Sequence, residues 1–185
     1  MKVLVVYSHP GYEGHNSAIL QAVEKKLDSM EGEYEVLDLY KMEFDPVLRE
    51  SEFGSPSKGI LEIQGKIKNS DLIMFIYPVW WGSMPAMMKG FIDRVFSRGF
   101  AFKYDENGKP VGLLKGKRAI VFMTSGAPLS MLRLTLNIPK KLIHFGTLFF
   151  CGIKTKVYQI GGCRKFSEDR REIVLKTVEK AFSGL

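Results

Sequence analysis

The chain opens with MKVLVVYSHPGYEGHNSAI (residues 1–19), where a short apolar run ends abruptly in a polar loop. The apolar run at residues 3–7 is typical of a β-strand buried on both faces, and helical spacing of apolar residues begins after Ser17. The loop between them holds two of the chain's three histidines, together with serine, asparagine and two glycines. A simple turn needs only one or two such residues. The stretch therefore predicts a strand and a helix joined by a loop that binds a ligand.

The same alternation of strand and helix recurs along the chain. Apolar runs predict further strands at residues 34–39, 72–77, 119–124 and 156–160. Apolar residues at helical spacing predict helices at residues 17–30, 59–69, 85–96 and 167–182. Such alternation is typical of a doubly wound α/β domain with right-handed crossovers. Five strands favour a flavodoxin-like fold over the longer dinucleotide-binding fold, which predicts a three-layer sandwich whose parallel sheet has the order 2-1-3-4-5.

Two regions interrupt this alternation. The pair Asn107-Gly108 is a strong hairpin signal. Residues 126–150 mix a helical pattern with Pro128 and Pro139, and we expect at least one of these prolines to break a helix.

The composition is that of an ordinary globular protein, with 45% hydrophobic and 25% charged residues. A length of 185 residues suits one domain spanning residues 1–185, because neither an internal repeat nor a long linker divides the chain. Two cysteines without neighbouring histidine or acidic clusters predict no metal site, and they suit reduced thiols in a cytoplasmic protein. The formal charge of +7 comes without a basic block interleaved with aromatic residues, so we expect no nucleic-acid partner.

Three of the predicted strands end in unusual loops, at residues 8–17, 77–85 and 124–128. In an open α/β sheet, ligands bind beyond the carboxyl ends of the strands, near the point where the strand order reverses. Strands 1, 3 and 4 are neighbours in the predicted order. The three loops are therefore expected to line one crevice.

Each loop offers a different chemistry. The first brings hydroxyl, imidazole and amide groups to a helix start, which favours a phosphate, although a turn followed by a helix capped by Asn16 is the alternative. The second places Trp80 and Trp81 beside glycine and proline, which suits a planar ring, although a rim of aromatic core residues is the alternative. The third pairs hydroxyls with Gly126, where backbone can approach a ligand closely. Together they match the layout of a flavin nucleotide.

Specific motifs identify a family. His9-Pro10, Asn16 and the segment YPVWWGSMPAMMKGFIDRVFSRGFAF (residues 77–102) resemble the flavodoxin-like NAD(P)H:quinone oxidoreductase family. Thr124-Ser125-Gly126 and GTLFFCG (residues 146–152) extend the resemblance along nearly the whole chain. The family includes the mammalian quinone reductases and the ancillary reductases of bacterial potassium-efflux systems.

The resemblance implies a bound flavin, FMN with FAD as the alternative, and NAD(P)H as the electron donor. It implies that the flavin contacts are made by His9, Gly14, His15, Asn16, Ser17, Pro78, Val79, Trp80, Trp81, Gly82, Thr124, Ser125, Gly126 and Ala127. The implied reaction is a ping-pong transfer of two electrons from NAD(P)H through flavin N5 to a quinone or a similar acceptor. Family members are homodimers, so a homodimer is expected.

The chain departs from the mammalian members after the third loop, where they carry a tyrosine and a histidine that assist charge changes on the ring. Residues 128–138 contain neither, so the sequence leaves the catalytic residue unassigned. We interpret His144 as a structural histidine with satisfied hydrogen bonds. Arg133 is interpreted as a solvated charge, with stabilisation of an anionic flavin or of a nicotinamide phosphate as the alternative.

Two other functions remain open at this point. A flavodoxin-type electron carrier would bind the same flavin, but flavodoxins are usually strongly acidic and this chain carries +7. A flavin-binding regulatory subunit that docks on a membrane transporter would suit the basic surface, because the cytoplasmic face of a membrane is negatively charged.

Overall fold

A computed structural model describes all 185 residues and contains seven strands and six α-helices. The strands are β1 (Lys2–Tyr7), β2 (Glu33–Asp38), β3 (Leu72–Pro78), β4 (Phe102–Tyr104), β5 (Pro110–Gly112), β6 (Arg118–Thr124) and β7 (Lys154–Ile160). The helices are α1 (His15–Ser29), α2 (Lys58–Asn69), α3 (Ala86–Val95), α4 (Leu129–Leu134), α5 (Ile138–Ile143) and α6 (Glu168–Phe182). A short 3-10 helix lies at Glu50–Glu52, and a π-helical segment at His144–Phe149 continues from α5.

Five of the strands form one parallel sheet in the order β2-β1-β3-β6-β7. Counted along this sheet alone, the order is the predicted 2-1-3-4-5. The two remaining strands, β4 and β5, pair as an antiparallel hairpin. Its turn contains Asn107 and Gly108, as the sequence predicted, and Gly108 takes the left-handed conformation with φ of 74°.

Alternate residues of each central strand point to opposite faces of the sheet, and each face is covered by helices. On one face Val3, Val5 and Tyr7 pack with apolar residues of α1 and α6. On the other face Leu4 and Val6 pack with apolar residues of α2 and α3. Strand β3 is buried along its whole length, which explains its continuous apolar sequence.

The region between β6 and β7 differs from the prediction. Pro128 occupies the capping position of α4, and Pro139 lies in the first turn of α5. Neither proline breaks a helix, because the fixed φ of proline and its missing N–H are tolerated where a helix begins. The interruption falls instead at Leu136 and Asn137, two successive residues with positive φ of 58° and 52°.

The register of the central strands places the carboxyl ends of β1, β3 and β6 side by side. Tyr7 is level with Ile76, and Pro78 is level with Thr124. The pairing continues one residue further, since the Val79 amide donates a 2.7 Å hydrogen bond to the Thr124 carbonyl. None of the helices combines the length and the apolar character needed to cross a lipid bilayer.

Candidate functional site

A crevice of about 430 Å³ lies at the carboxyl ends of β1, β3 and β6. All three predicted loops contribute to its walls, and so does a fourth segment that follows β7. The lining residues are His9, Glu13, Gly14, His15, Asn16, Pro78, Val79, Trp80, Thr124, Gly126, Cys163, Arg164 and Phe166. The convergence expected from the strand order is therefore present.

The start of α1 presents unpaired hydrogen-bond donors at this crevice. Gly14, with φ of 93°, stands at the capping position, and no side chain caps the helix. The backbone N–H groups of His15, Asn16 and Ser17 consequently have no acceptor. Because these groups and the helix dipole favour negative charge, the helix start is suited to an anion such as a phosphate.

Two buried side chains in the first loop and at the start of α1 are also unpaired. The Nε2 atom of His15 and the Oγ atom of Ser8 are buried and have no hydrogen-bond partner. An unsatisfied buried polar group costs roughly 1–3 kcal/mol, so a ligand that supplies partners here would be stabilised by that amount for each group it pairs. Of these two residues, His15 lines the crevice, and with the free amides it forms a polar end that fits a phosphate.

The histidine at this end is held in its neutral form. Burial lowers the pKa of His15, and the nearby Arg170 cation lowers it further. The His15 ring packs edge-on against Phe166, with the ring centroids 5.1 Å apart. A guanidinium N–H of Arg170 donates a 3.1 Å hydrogen bond to the carbonyl of Gly161. Positive charge near the polar end therefore comes from arginine, and His15 acts there as a neutral hydrogen-bonding group.

Asn16 has a role other than the predicted cap. Its side-chain amide donates a 3.0 Å hydrogen bond to the Thr124 hydroxyl, and both groups are buried. The prediction of Asn16 as the cap is wrong because α1 begins at His15, so Asn16 already lies in its first turn. The hydrogen bond ties the start of α1 to the end of β6, across two walls of the crevice.

Ser17 and His9 hold the first loop in shape. The Ser17 hydroxyl donates a 2.6 Å hydrogen bond to the Tyr12 carbonyl, and its side chain does not line the crevice. The Nδ1 atom of His9 lies 2.9 Å from the Gly11 carbonyl oxygen and 3.0 Å from the Gly11 amide nitrogen. The His9 ring lines the crevice, 6.2 Å from the ring of Trp80.

The second loop makes a tight turn that separates its two tryptophans. Trp80 and Ser83 exchange two backbone hydrogen bonds of 2.9 and 3.0 Å, and the two residues between them have positive φ of 51° and 75°. This is the geometry of a type I′ turn. Pro78, Val79 and Trp80 line the crevice, whereas Trp81 projects from the tip with a relative exposure of 104%.

In the third loop, two residues face the crevice and two hold the backbone. Thr124 and Gly126 are lining residues. The Ser125 amide donates to the Ile160 carbonyl at 2.8 Å, and the Ser125 hydroxyl accepts a 3.1 Å hydrogen bond from the Ala127 amide. Of the predicted flavin contacts, Ser17, Trp81, Gly82, Ser125 and Ala127 are thus outside the set that lines the crevice.

Sequence reasoning missed the segment after β7. The Cys163 amide donates a 2.8 Å hydrogen bond to the Ser125 carbonyl, which brings Cys163 and Arg164 into the wall. Burial raises the pKa of the Cys163 thiol, and its S–H donates to the Ile160 carbonyl at 3.3 Å, so the group is a neutral thiol. The Gly161-Gly162 pair at the end of the fifth strand was a usable signal, because the rule about strand ends applies to β7 as well.

His144 and Arg133 lie outside the crevice, in a separate cavity beside β7. The interpretation of His144 as a satisfied histidine is wrong, because its Nδ1 atom is buried without a hydrogen-bond partner. His144 is the first residue of the π-helical segment. Arg133 is exposed and forms no ion pair, in agreement with its interpretation as a solvated charge.

Comparison with known proteins agrees with this architecture. The sequence profile of a family described as having a flavodoxin-like fold matches residues 1–180. A protein of Haemophilus influenzae named "Uncharacterized NAD(P)H oxidoreductase" is 35% identical over 92% of this chain and 88% of its own length. The mouse "Ribosyldihydronicotinamide dehydrogenase [quinone]" is 32% identical over 94% of this chain and 87% of its own. The solved structure of a NAD(P)H:quinone oxidoreductase from Methanothermobacter marburgensis superimposes with a TM-score of 0.83 at 27% identity, covering 98% of this chain and 94% of that one.

Proposed function

Since the chain belongs to the family with the flavodoxin-like fold, we propose that it is an NAD(P)H-dependent quinone oxidoreductase that carries a bound flavin. The names of the relatives support the activity, and the crevice supports the flavin. The observation that carries the proposal is the polar end of the crevice, where three backbone amides at the start of α1 and His15 Nε2 lie unpaired. This donor-rich end fits the phosphate of a flavin nucleotide.

The remaining walls are assigned to the flavin ring. Pro78, Val79 and Trp80 supply an apolar and aromatic surface, and Thr124 and Gly126 supply polar edges and close backbone approach. A crevice of about 430 Å³ is near the lower end of the range for small-molecule sites, which favours FMN over the larger FAD. Arg164 and Arg170 add positive charge that suits the phosphate.

When bound, the flavin supplies the two-electron chemistry, which we propose runs in ping-pong order with hydride arriving at N5 from NAD(P)H before the quinone is reduced. The residues of this chain bind the flavin, orient it and shield it from water. The amides of the first turn of α1 hold the phosphate, and the Asn16–Thr124 hydrogen bond keeps that turn against β6. Trp80 and Pro78 exclude water from the ring's side of the crevice. His15 and Cys163 are neutral there, and we assign neither of them as an acid or a base.

We also propose that the active form is a homodimer in the cytoplasm. Several large apolar side chains of α4, α5 and the π-helical segment are exposed, among them Leu134 at 83% and Phe149 at 65%. Exposed apolar patches of this kind commonly mark an interface. Both cysteines are free thiols, as a reducing compartment requires. Light scattering after gel filtration measures the oligomeric state directly, and a monomer at micromolar concentration would remove this part of the proposal.

The central test combines cofactor identity with reactivity. The purified protein is denatured and the mass of any released flavin is measured, with FMN as the expected result. The holoprotein is then mixed rapidly with NADH or NADPH, and loss of flavin absorbance followed by its return on adding a quinone is expected. A colourless protein that takes up neither FMN nor FAD would refute the proposal.

A second candidate is a regulatory subunit that docks on a membrane transporter, which the positive net charge of the chain favours. The same rapid-mixing experiment distinguishes the candidates, because very slow bleaching by both donors would argue against a reductase. The same outcome would fit an electron carrier. Co-purification with a transporter from solubilised membranes would then select the regulatory function.

A further inference from the structure

A second cavity, of about 710 Å³, lies between α5, the π-helical segment and the outer edge of β7. It shares no lining residue with the crevice. Its volume falls within the range of small-molecule sites. The polar residues that matter most in its wall are Arg133, Asn137, Lys140, Lys141, His144 and Lys156.

The cavity belongs to the part of the chain where positive charge is not compensated. Residues 107–167 contain eleven lysines and arginines and no aspartate or glutamate. Arg133, Lys140 and Lys141 form no ion pair with any other part of the molecule. Lys156 is partly engaged, since its ammonium group donates a 2.6 Å hydrogen bond to the Gly184 carbonyl. Three cations that line one cavity repel one another, and an anion between them would relieve that repulsion.

One residue in the wall of this cavity also has a buried nitrogen without a hydrogen-bond partner. The Nδ1 atom of His144 is buried and has no hydrogen-bond partner, while the ring packs edge-on against Phe145 with the centroids 4.4 Å apart. In the tautomer that carries its proton on Nδ1, this nitrogen is a donor that requires an acceptor. An oxyanion in the cavity is such an acceptor.

We propose that this cavity binds a phosphate group, through Arg133, Lys140 and Lys141 as cations and His144 Nδ1–H as a further donor. A phosphate fits better than a carboxylate, because it carries close to two negative charges and more acceptor oxygens for the separate donors. The phosphate belongs to a small soluble compound or to a lipid headgroup, and the chemistry of recognition is the same for both. The proposal does not depend on the identity of the ligand in the crevice.

The test uses protein saturated with FMN, so that inorganic phosphate does not compete for the polar end of the crevice. Binding of inorganic phosphate and pyrophosphate is measured by calorimetry at low ionic strength. The double variant Arg133→Gln/Lys141→Gln is expected to weaken binding by about a hundredfold, because each of the two lost charge-assisted hydrogen bonds contributes about tenfold. His144→Ala is expected to weaken it by about threefold to tenfold.

The matched control is Lys103→Gln/Lys109→Gln, which removes two positive charges from exposed positions on the β4–β5 hairpin. It should leave phosphate affinity within twofold of the parent protein. Equal weakening in both double variants would show that only the net charge matters and would overturn the proposal. The proposal would also be overturned if the Arg133→Gln/Lys141→Gln protein bound both anions as tightly as the parent, or if the parent bound neither anion. Flavin absorbance reports separately on the crevice in every variant.

Vesicles separate the two sources of phosphate. If the ligand is an anionic lipid, the parent protein should sediment with phosphatidylglycerol vesicles but not with phosphatidylcholine vesicles. Loss of that sedimentation in the Arg133→Gln/Lys141→Gln protein would assign the phosphate to a lipid headgroup. Binding of soluble phosphate without sedimentation would assign a small soluble compound. Sedimentation that persists in this double variant would place membrane attraction elsewhere and count against the cavity.

Discussion

At the scale of single residues, Asn16 and Thr124 carry the connection on which the crevice depends, since their buried hydrogen bond joins α1 to β6. Asn16→Leu removes the amide and leaves the Thr124 hydroxyl buried and unpaired. We expect the free energy of unfolding to fall by about 1–3 kcal/mol, and FMN affinity to fall with it. Chemical denaturation and fluorescence titration measure the two quantities.

The partner variant sharpens this prediction. Thr124→Val combined with Asn16→Leu removes both groups, so part of the lost stability should return while FMN affinity stays low. If Asn16→Leu lowers stability but binds FMN as tightly as the parent, the hydrogen bond supports only the fold.

The two tryptophans should respond differently to substitution. Trp80→Ala is expected to weaken FMN binding about fivefold to tenfold, because its ring lines the crevice beside His9. Trp81→Ala should change FMN affinity by less than about twofold, because Trp81 projects away from the lining residues. Fluorescence titration of both proteins checks this, and equal losses would mean that Trp81 reaches the ring after all.

The difference between these neighbours also shows what the sequence could and could not predict about the site. The loop, its residue types and its position at a strand end were predictable from Trp80-Trp81-Gly82 and the sheet order. Which tryptophan faces inward depends on the positive φ of Trp81, a conformation that bulky residues rarely adopt and that no local pattern indicates. The unpaired Nδ1 atom of His144 lies at the start of a π-helical segment, which the sequence pattern did not predict.

At the scale of elements, the turn from Trp80 to Ser83 stores strain. A non-glycine residue in the left-handed region costs on the order of 1–3 kcal/mol, whereas Asn followed by Gly is the preferred pair for a type I′ turn. Trp81→Asn is therefore expected to raise the free energy of unfolding by about 1 kcal/mol, measured by denaturant titration. Trp81→Ala serves as the control and should gain less, since alanine tolerates positive φ less well than asparagine. A loss of stability in the asparagine variant would show that the Trp81 ring makes a stabilising contact.

A second element is fixed by charge. The Arg94 guanidinium on α3 donates to both carboxylate oxygens of Glu52, at 2.9 and 2.6 Å, and holds the segment around the 3-10 helix against α3. Both side chains are about nine-tenths buried. Glu52→Gln should lower the free energy of unfolding at neutral pH by about 2 kcal/mol, a value between those of exposed and of fully buried pairs.

The same pair predicts a pH dependence. The hydrogen bond from Arg94 lowers the pKa of Glu52 below its ordinary value of 4.5. The native state therefore binds this proton less tightly than the unfolded chain, so the stabilisation is present above pH 4.5 and is lost as the pH falls through the lowered pKa. Denaturation at several acidic pH values should show the parent and Glu52→Gln proteins converging at low pH. A constant difference between them would argue against the ion pair.

The main elements were predictable within about two residues, because buried parallel strands and amphipathic helices carry strong periodic signals. The exceptions have local causes. The α4–α5 region is divided at Leu136 and Asn137 by backbone conformation, and both prolines are compatible with the helix starts they occupy. The cap of α1 is a glycine without a side-chain hydrogen bond, which left Asn16 free for another role.

At the scale of the whole molecule, the sheet order followed from the number of strands and their helical connections, and with it the place of the crevice. The distribution of charge in space did not follow from the number of strands and their connections. Basic residues that are scattered singly and in pairs along the sequence gather in space, because residues 107–167 supply both β6 and β7 at one edge of the sheet. This gathering depends on topology, which a reading of neighbouring residues does not contain.

Residues 107–167, which contain no acidic side chain, have a counterpart at the opposite edge of the sheet. There β2 and the segment after it place eight carboxylates and two basic residues between Glu31 and Glu52. Five strands spaced about 4.8 Å apart separate the two edges by roughly 19 Å. The protein is therefore an electric dipole directed across its sheet. At physiological ionic strength the screening length is about 8 Å, so an approaching molecule senses one pole without the other. An anionic dinucleotide or membrane meets the β7 side as a basic protein, and a cationic partner meets the β2 side as an acidic one.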